Sequence, residues 1–271
     1  MERKTVGAFL AVFRYLKLTI GDNWMPQSAT VDFERALRSA IRIVFRGCVI
    51  KRCYFHYLQC LTKRFIKLNG KKAYQNLKEW PRGFLFYRRI MGLALLEPTA
   101  INEAFQNLIN ETERDILLYF DGFLRYYRRW WINTVKPANF SVFGFHERTN
   151  NAIESYHRVL TLRIGLHPNI WTFIEKLLKL QKITRIEILS LQRGRSVRRP
   201  REHQYIVRDE LIETAWQMYD RNELDNAKFL TATSHILGGF GKKFVICEPG
   251  QLAMFQNDLT YQEIVNIFGI P

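Results

Sequence analysis

The chain has 271 residues, 47% of them hydrophobic and 14% aromatic, enough for a sizeable core in one large or two smaller domains and against intrinsic disorder. Its formal net charge is +16, a surplus that repels itself unless it meets an anionic partner, nucleic acid first and an acidic membrane surface second. No apolar run reaches the ~18 residues of a bilayer span, and the four cysteines (Cys48, Cys53, Cys60 and Cys247) are three crowded and one remote, unlike a secreted disulfide framework. An intracellular protein, not secreted and with no membrane partner, is expected.

In chain order, Val6, Phe9, Leu10, Phe13 and Leu16 share one face of an opening helix. Arg3 and Lys4 before it faintly resemble a signal peptide, but Arg14 and Lys17 interrupt the apolar run and no small-residue cleavage site follows. Gly21 to Pro26 is a loop. Ser28 to Phe33 alternates as a short strand, and Leu37, Ala40, Ile41, Val44 and Phe45 then take helical spacing. Cys48 to Phe55 is a second strand, and a basic helix runs from about His56 through Leu68. Residues 1–68 thus suit an α/β sheet. Residues 69–147 show helical patterns and almost no strand signal, with Thr99 as a helix cap, a helix from Ile116 to Trp131, and a loop from Pro137 to Gly144. Two helices follow at about 150–164 and 169–192. The run Arg193 to Arg201 has no apolar period and is expected to be exposed. Residues 193–271 form a basic loop and an extension of unassigned role, helical from Leu211 to Arg221 and with one short strand at Phe244 to Cys247.

Three local patterns carry chemistry. Asp32, in Val31-Asp-Phe-Glu-Arg-Ala36, stands at a strand end that opens a helix, where a carboxylate either caps the helix or binds a hard divalent cation. Cys53 and His56 follow the next strand; with Cys48 and Cys60 they make four soft ligands within thirteen positions. A zinc site is disfavoured there, because the known knuckle spacings do not fit and regular structure turns the side chains apart. Glu154, in Arg148-Thr-Asn-Asn-Ala-Ile-Glu154-Ser-Tyr-His157, follows Asn151 by three positions, the spacing of a capping-box glutamate.

Taken in order, these patterns resemble the transposase domain of Mutator-like elements, as do the flanking Asn23-Trp-Met-Pro26, Phe55-His-Tyr-Leu-Gln59 and Leu93-Ala-Leu-Leu-Glu-Pro98. The similarity spans roughly residues 1–180. It implies an α/β fold, here an incomplete ribonuclease H-like core with an all-helical insertion, mainly helical overall, in which residues 148–192 supply core helices bearing the third acidic motif. It also implies DNA as partner, a nuclear location, and two aspartates and a glutamate binding Mg²⁺ or Mn²⁺ for strand cleavage and transfer. Asp32 matches the second aspartate and Glu154 the glutamate, as catalytic and metal-binding positions. Cys53, His56, Asn151 and His157 match the remaining family motif. No aspartate precedes Asp22, so the first carboxylate of the family pattern is expected to be missing, metal binding to be poor, and the chain to be inactive in cleavage. A domesticated, non-catalytic DNA-binding module is the alternative, and a homo-oligomer stays open.

DNA contact does not require catalysis. Arg193, Arg195, Arg198, Arg199 and Arg201 are candidates to neutralise phosphates, as is the group Lys63, Arg64, Lys67, Lys71 and Lys72. Between Arg125 and Trp131, cations alternate with rings as in single-strand binders, although aromatic residues in a helix more often belong to a core.

Overall fold

A computed structural model describes residues 4–21, 23–197 and 202–237. These hold eleven α-helices and one parallel pair of strands, so the protein is mainly helical. The expected strand at Phe244 to Cys247 lies outside the described residues. The chain divides into two compact units, one from Met1–Thr149 with Arg208–Pro271, the other Asn150–Val207.

The first unit begins with α1 (Val6–Ile20), capped by the Thr5 hydroxyl, which accepts from the Ala8 N–H at 3.2 Å. Strand β1 (Ser28–Val31), α2 (Arg35–Val44) and β2 (Val49–Arg52) follow. The strands pair in parallel with Ser28 opposite Val49 and Val31 opposite Arg52. Parallel strands need a crossover, and α2 supplies it. Its apolar stripe of Leu37, Ile41 and Val44, with Phe45 just beyond, packs on Val31, Ala29 and Ile50, and Phe13 of α1 and Trp24 close over Phe45. Both strands are shorter than their patterns suggest, for local reasons. Asp32 Oδ1 accepts the Glu34 N–H at 3.1 Å and turns the chain out of β1. The Cys53 N–H makes the last rung, to the Val31 carbonyl at 2.9 Å, and Cys53 is then the N-cap of α3 (Tyr54–Asn69). That helix begins two residues before the expected His56.

Helix α3 also belongs to the helical part of the unit. Around it stand α4 (Ala73–Lys78), α5 (Pro81–Gly92), α6 (Ile101–Asn110) and α7 (Arg114–Tyr126). Thr99 does not cap α6; a turn puts Ala100 at the N-cap, and the Thr99 hydroxyl donates to Glu97 at 3.5 Å. The expected helix from Ile116 to Trp131 is two structures, since α7 passes at Tyr127 into a π-helical stretch ending at Val135. The core is aromatic: Tyr57, Phe65, Tyr87, Phe120, Phe123, Tyr127, Trp131 and Phe140 are all fully buried. Buried phenols need partners. Tyr57 and Tyr127 share a hydroxyl contact of 2.8 Å, and the Tyr54 hydroxyl donates to the Met91 carbonyl at 3.0 Å.

From Arg208 onward the chain rejoins this core. Within α10 (His203–Asp220), the Trp216 indole N–H donates to the Leu95 carbonyl at 2.7 Å. Helix α11 (Asn226–Ile236) lies so close to α5 that a Cβ at Gly92 would meet the Thr233 hydroxyl at 3.0 Å.

The second unit is a helical hairpin of α8 (Asn151–Ile164) and α9 (Ile170–Gln192). Gly165 and His167 take positive φ in the turn, and the Asn169 side chain caps α9 by accepting the Thr172 N–H at 2.9 Å. Helix α8 buries no residue and α9 buries only Leu180. Among the described residues, no helix is long and apolar enough to cross a membrane.

Candidate functional site

Parallel strands place their carboxyl ends at one edge, where open α/β sheets commonly carry their ligands. Asp32 follows β1 at that edge, Cys53 follows β2 beside it, and His56 lies in the first turn of α3. These three expected site residues are therefore brought together. Asp32 is half-buried and holds the turn to Glu34 rather than capping α2, whose N-cap is Glu34. Cys53 is fully buried, and the His56 ring meets Phe55 edge-on at 5.9 Å.

The surroundings of Asp32 are strongly cationic. Arg35, Arg38 and Arg42 line one face of α2 at helical spacing. Arg52, at the end of β2, is 5% exposed; its guanidinium lies 5.0 Å from the Phe33 ring centre, and its Nη1 has no hydrogen-bond partner among the described residues. Burial lowers the Arg52 pKa to about 10, Arg38 and Arg42 add like-charge repulsion, and the Asp32 carboxylate pulls the other way. Arg38 is lowered by burial first and then by Arg42 and Arg35, again against the pull of Asp32. The stripe is visible in the sequence as arginines spaced by three and four, whereas Arg52 carries no comparable signal.

A divalent cation is a poor fit to this edge. One Asp32 oxygen is engaged by a backbone N–H, and the guanidinium groups of Arg38 and Arg52 lie within its electrostatic reach, where they repel a metal ion and attract phosphate. Among the described residues no three His, Cys, Asp or Glu side chains gather as a ligand set. Cys48 and Cys53 lie at opposite ends of β2, roughly 16 Å apart at the ~3.3 Å rise of a strand, too far for one zinc ion.

Glu154, Asn151 and His157 share one face of α8 in the second unit, Glu154 half-buried and the other two exposed. The N-cap is Asn150, not Asn151, so Glu154 is the fourth helical residue and lies beyond the capping-box position. Arg148, at the head of the same motif, belongs to the first unit. It is 5% exposed, ion-paired with Asp209, stacked 5.2 Å from the Trp216 ring, and its carbonyl accepts the Tyr54 N–H at 2.7 Å. It ties α10 to the start of α3.

Arg193 and Arg195 are exposed beyond the end of α9. Arg198, Arg199 and Arg201 lie outside the described residues. Lys63, Lys67, Lys71 and Lys72 are exposed on and just after α3. The cluster from Arg125 to Trp131 divides in two. Tyr127 and Trp131 are core, whereas Arg125, Arg128, Arg129 and Trp130 are exposed and Tyr126 is half-buried.

Comparison of the chain with protein-family models, with curated proteins and with solved structures finds no match in any of the three.

Proposed function

We propose that this chain is a DNA-binding protein of the Mutator-like transposase lineage, which holds the phosphate backbone through arginines around the Asp32 edge and does not itself cut the strand. The observation that carries the reading is the pair Arg38 and Arg52 around Asp32, the aspartate of the family motif, with Arg35 and Arg42 extending the charge along the same face of α2. The β1–α2–β2 crossover is the part of a ribonuclease H-like core that this arrangement would represent. A net charge of +16 and exposed Arg193 and Arg195 support backbone binding. Asp32 and Glu154 stand at two of the lineage's three carboxylate positions, and in this reading Asp32 shapes the turn and orients guanidinium groups.

The test is fluorescence anisotropy with a labelled 30-base-pair duplex across a salt series. Log affinity should fall linearly with log salt, by about 0.9 for each phosphate neutralised. Arg38→Ala and Arg42→Ala should each weaken binding and make the slope shallower, while Glu154→Gln leaves it near wild type and salt-sensitive binding survives in Asp32→Asn. No binding at low salt would sink the DNA reading. Nicking of supercoiled plasmid with Mg²⁺ or Mn²⁺ that Asp32→Asn abolishes would overturn the non-cutting assignment.

A further inference from the structure

The first unit carries a groove away from the Asp32 edge. It lies between α3 and the α7 helix with its π-helical continuation, encloses about 710 Å³, and is lined by Arg64, Arg125, Tyr126, Arg129 and Trp130 together with small and apolar residues. That volume falls within the ~300–1,000 Å³ of sites that hold small organic groups. Three features give it a chemical character. The Arg64 guanidinium lies 4.8 Å from the Tyr126 ring centre, and its Nε is buried without a hydrogen-bond partner among the described residues. Trp130 is 46% exposed, although indoles of a helical core are normally covered. Arg125 is held to Asp121 at 2.8 Å, and Arg129 sits exposed one turn further along.

Tyr127 and Trp131 continue the buried stripe of Ile116, Phe120 and Phe123, and Trp130 falls beside it, in a stretch of unusual winding. From Tyr127 to Val135 the winding is π, with the Lys136 N–H reaching back to the Trp131 carbonyl at 2.9 Å and the Thr134 hydroxyl to the Arg129 carbonyl at 2.9 Å. Tyr127 and Trp131 go into the core and anchor the stretch. Trp130, beside Trp131, then faces out over the groove with Arg129. Wide turns of this kind are uncommon and recur at functional sites.

We infer that this groove binds single-stranded DNA, with an unpaired base stacked on Trp130 and the flanking phosphates on Arg64, Arg125 and Arg129. A duplex offers such a ring nothing, because its bases are already stacked; an unpaired base offers a π face to the indole, and its phosphates match the arginines. The inference rests on the DNA reading above and adds the substrate class, a strand with unpaired bases. It places that contact on the helical region rather than at the Asp32 edge.

The experiment compares the full chain with Trp130→Ala and Trp130→Phe, using a labelled dT 20-mer, its duplex with a dA 20-mer, and an rU 20-mer. Trp130 is exposed enough for both variants to keep the wild-type circular dichroism spectrum. Trp130→Ala should weaken dT binding roughly five- to hundred-fold, the range for losing one stacked base, with duplex binding unchanged and most of the affinity restored in Trp130→Phe. Equal binding of dT by wild type and Trp130→Ala, with duplex binding intact, overturns this inference alone. A parallel loss on strand and duplex overturns the stacking assignment. Tighter binding of rU than of dT overturns the assignment to DNA. Absence of binding to every probe defeats the DNA reading itself.

Discussion

The two compact units have similarly apolar helices and opposite burial. In the first, rings from α3, α5, α7 and the π-helical stretch close on one another, with Phe65 5.4 Å from Phe120 and Tyr57 4.8 Å from Trp131 between ring centres. In the second, Leu162, Leu166 and Trp171 are each about four-fifths exposed, and Leu180 alone is buried in α9. Apolar content therefore does not by itself make a core. A helix contributes burial only where other elements cover its stripe, and two helices cover one another along a single seam. The hairpin depends more on its local devices: the Asn169 cap, the Lys179–Glu175 pair at 2.6 Å, and Lys176, whose ammonium donates to the Ile164 carbonyl at 3.0 Å.

The largest test of this contrast is a pair of truncations. Trp131→Ala should cost ~3–5 kcal/mol in urea unfolding, because it empties a fully buried site. Leu162→Ser, on the exposed face of α8, should change stability by no more than about 0.5 kcal/mol. A large loss from Leu162→Ser would show that the hairpin face is covered after all.

Arg148 tests how far the first unit depends on its returning segment. Arg148→Ala removes the buried guanidinium's pair with Asp209 and its stack on Trp216, and should cost ~3 kcal/mol, towards the lower end for a broken buried pair because Asp209 is partly exposed. Thermal unfolding would measure the loss, and trypsin should then release α10 and α11 first. Unchanged protease resistance would argue against Arg148 as the tie.

The smallest effect sharpens the α5–α11 seam. The His235 pKa is lowered, first by burial and then by Arg88 and Arg89 across the seam. The folded state thus disfavours the protonated ring. Stability from this residue is fully present above the ordinary pKa of about 6.5 and falls as pH drops through that value towards the lower folded-state pKa. His235→Gln should flatten the dependence of the urea midpoint between pH 7.5 and pH 5. An unchanged slope would assign the acid sensitivity to other groups.

Much of the secondary structure was legible in the sequence because it is a local property. The helical spacing of Val6 to Leu16 and of Leu37 to Phe45 survives in the fold, as do the two helices expected at about 150–164 and 169–192 and the placing of Asp32 at a strand end. Charge is likewise a sum over residues, so a strongly basic chain was evident from composition alone. Strand β1 ends two residues short of the expected Phe33 because Asp32 captures a backbone donor, a bond that leaves no periodic mark, and the helix expected from Leu211 begins eight residues earlier at His203.

What the tertiary structure alone decided is which face of each pattern is covered and which charges share a neighbourhood. Helical spacing sorts Tyr126 and Trp130 from Tyr127 and Trp131 into two neighbouring rows, but which row is covered is decided by packing: Tyr127 and Trp131 are in the core, and Tyr126 and Trp130 line a groove. Arg148 looked like part of a catalytic motif, and a carboxylate 61 positions away makes it a structural tie. Arg52 lies inside the strand expected from Cys48 to Phe55; the structure ends β2 at Arg52, and the crossover of α2 brings it near Arg38 and Arg42, with Asp32 also within electrostatic reach. Helical periodicity arises within a few residues along the chain, whereas burial and electrostatic environment arise from residues that only folding makes neighbours.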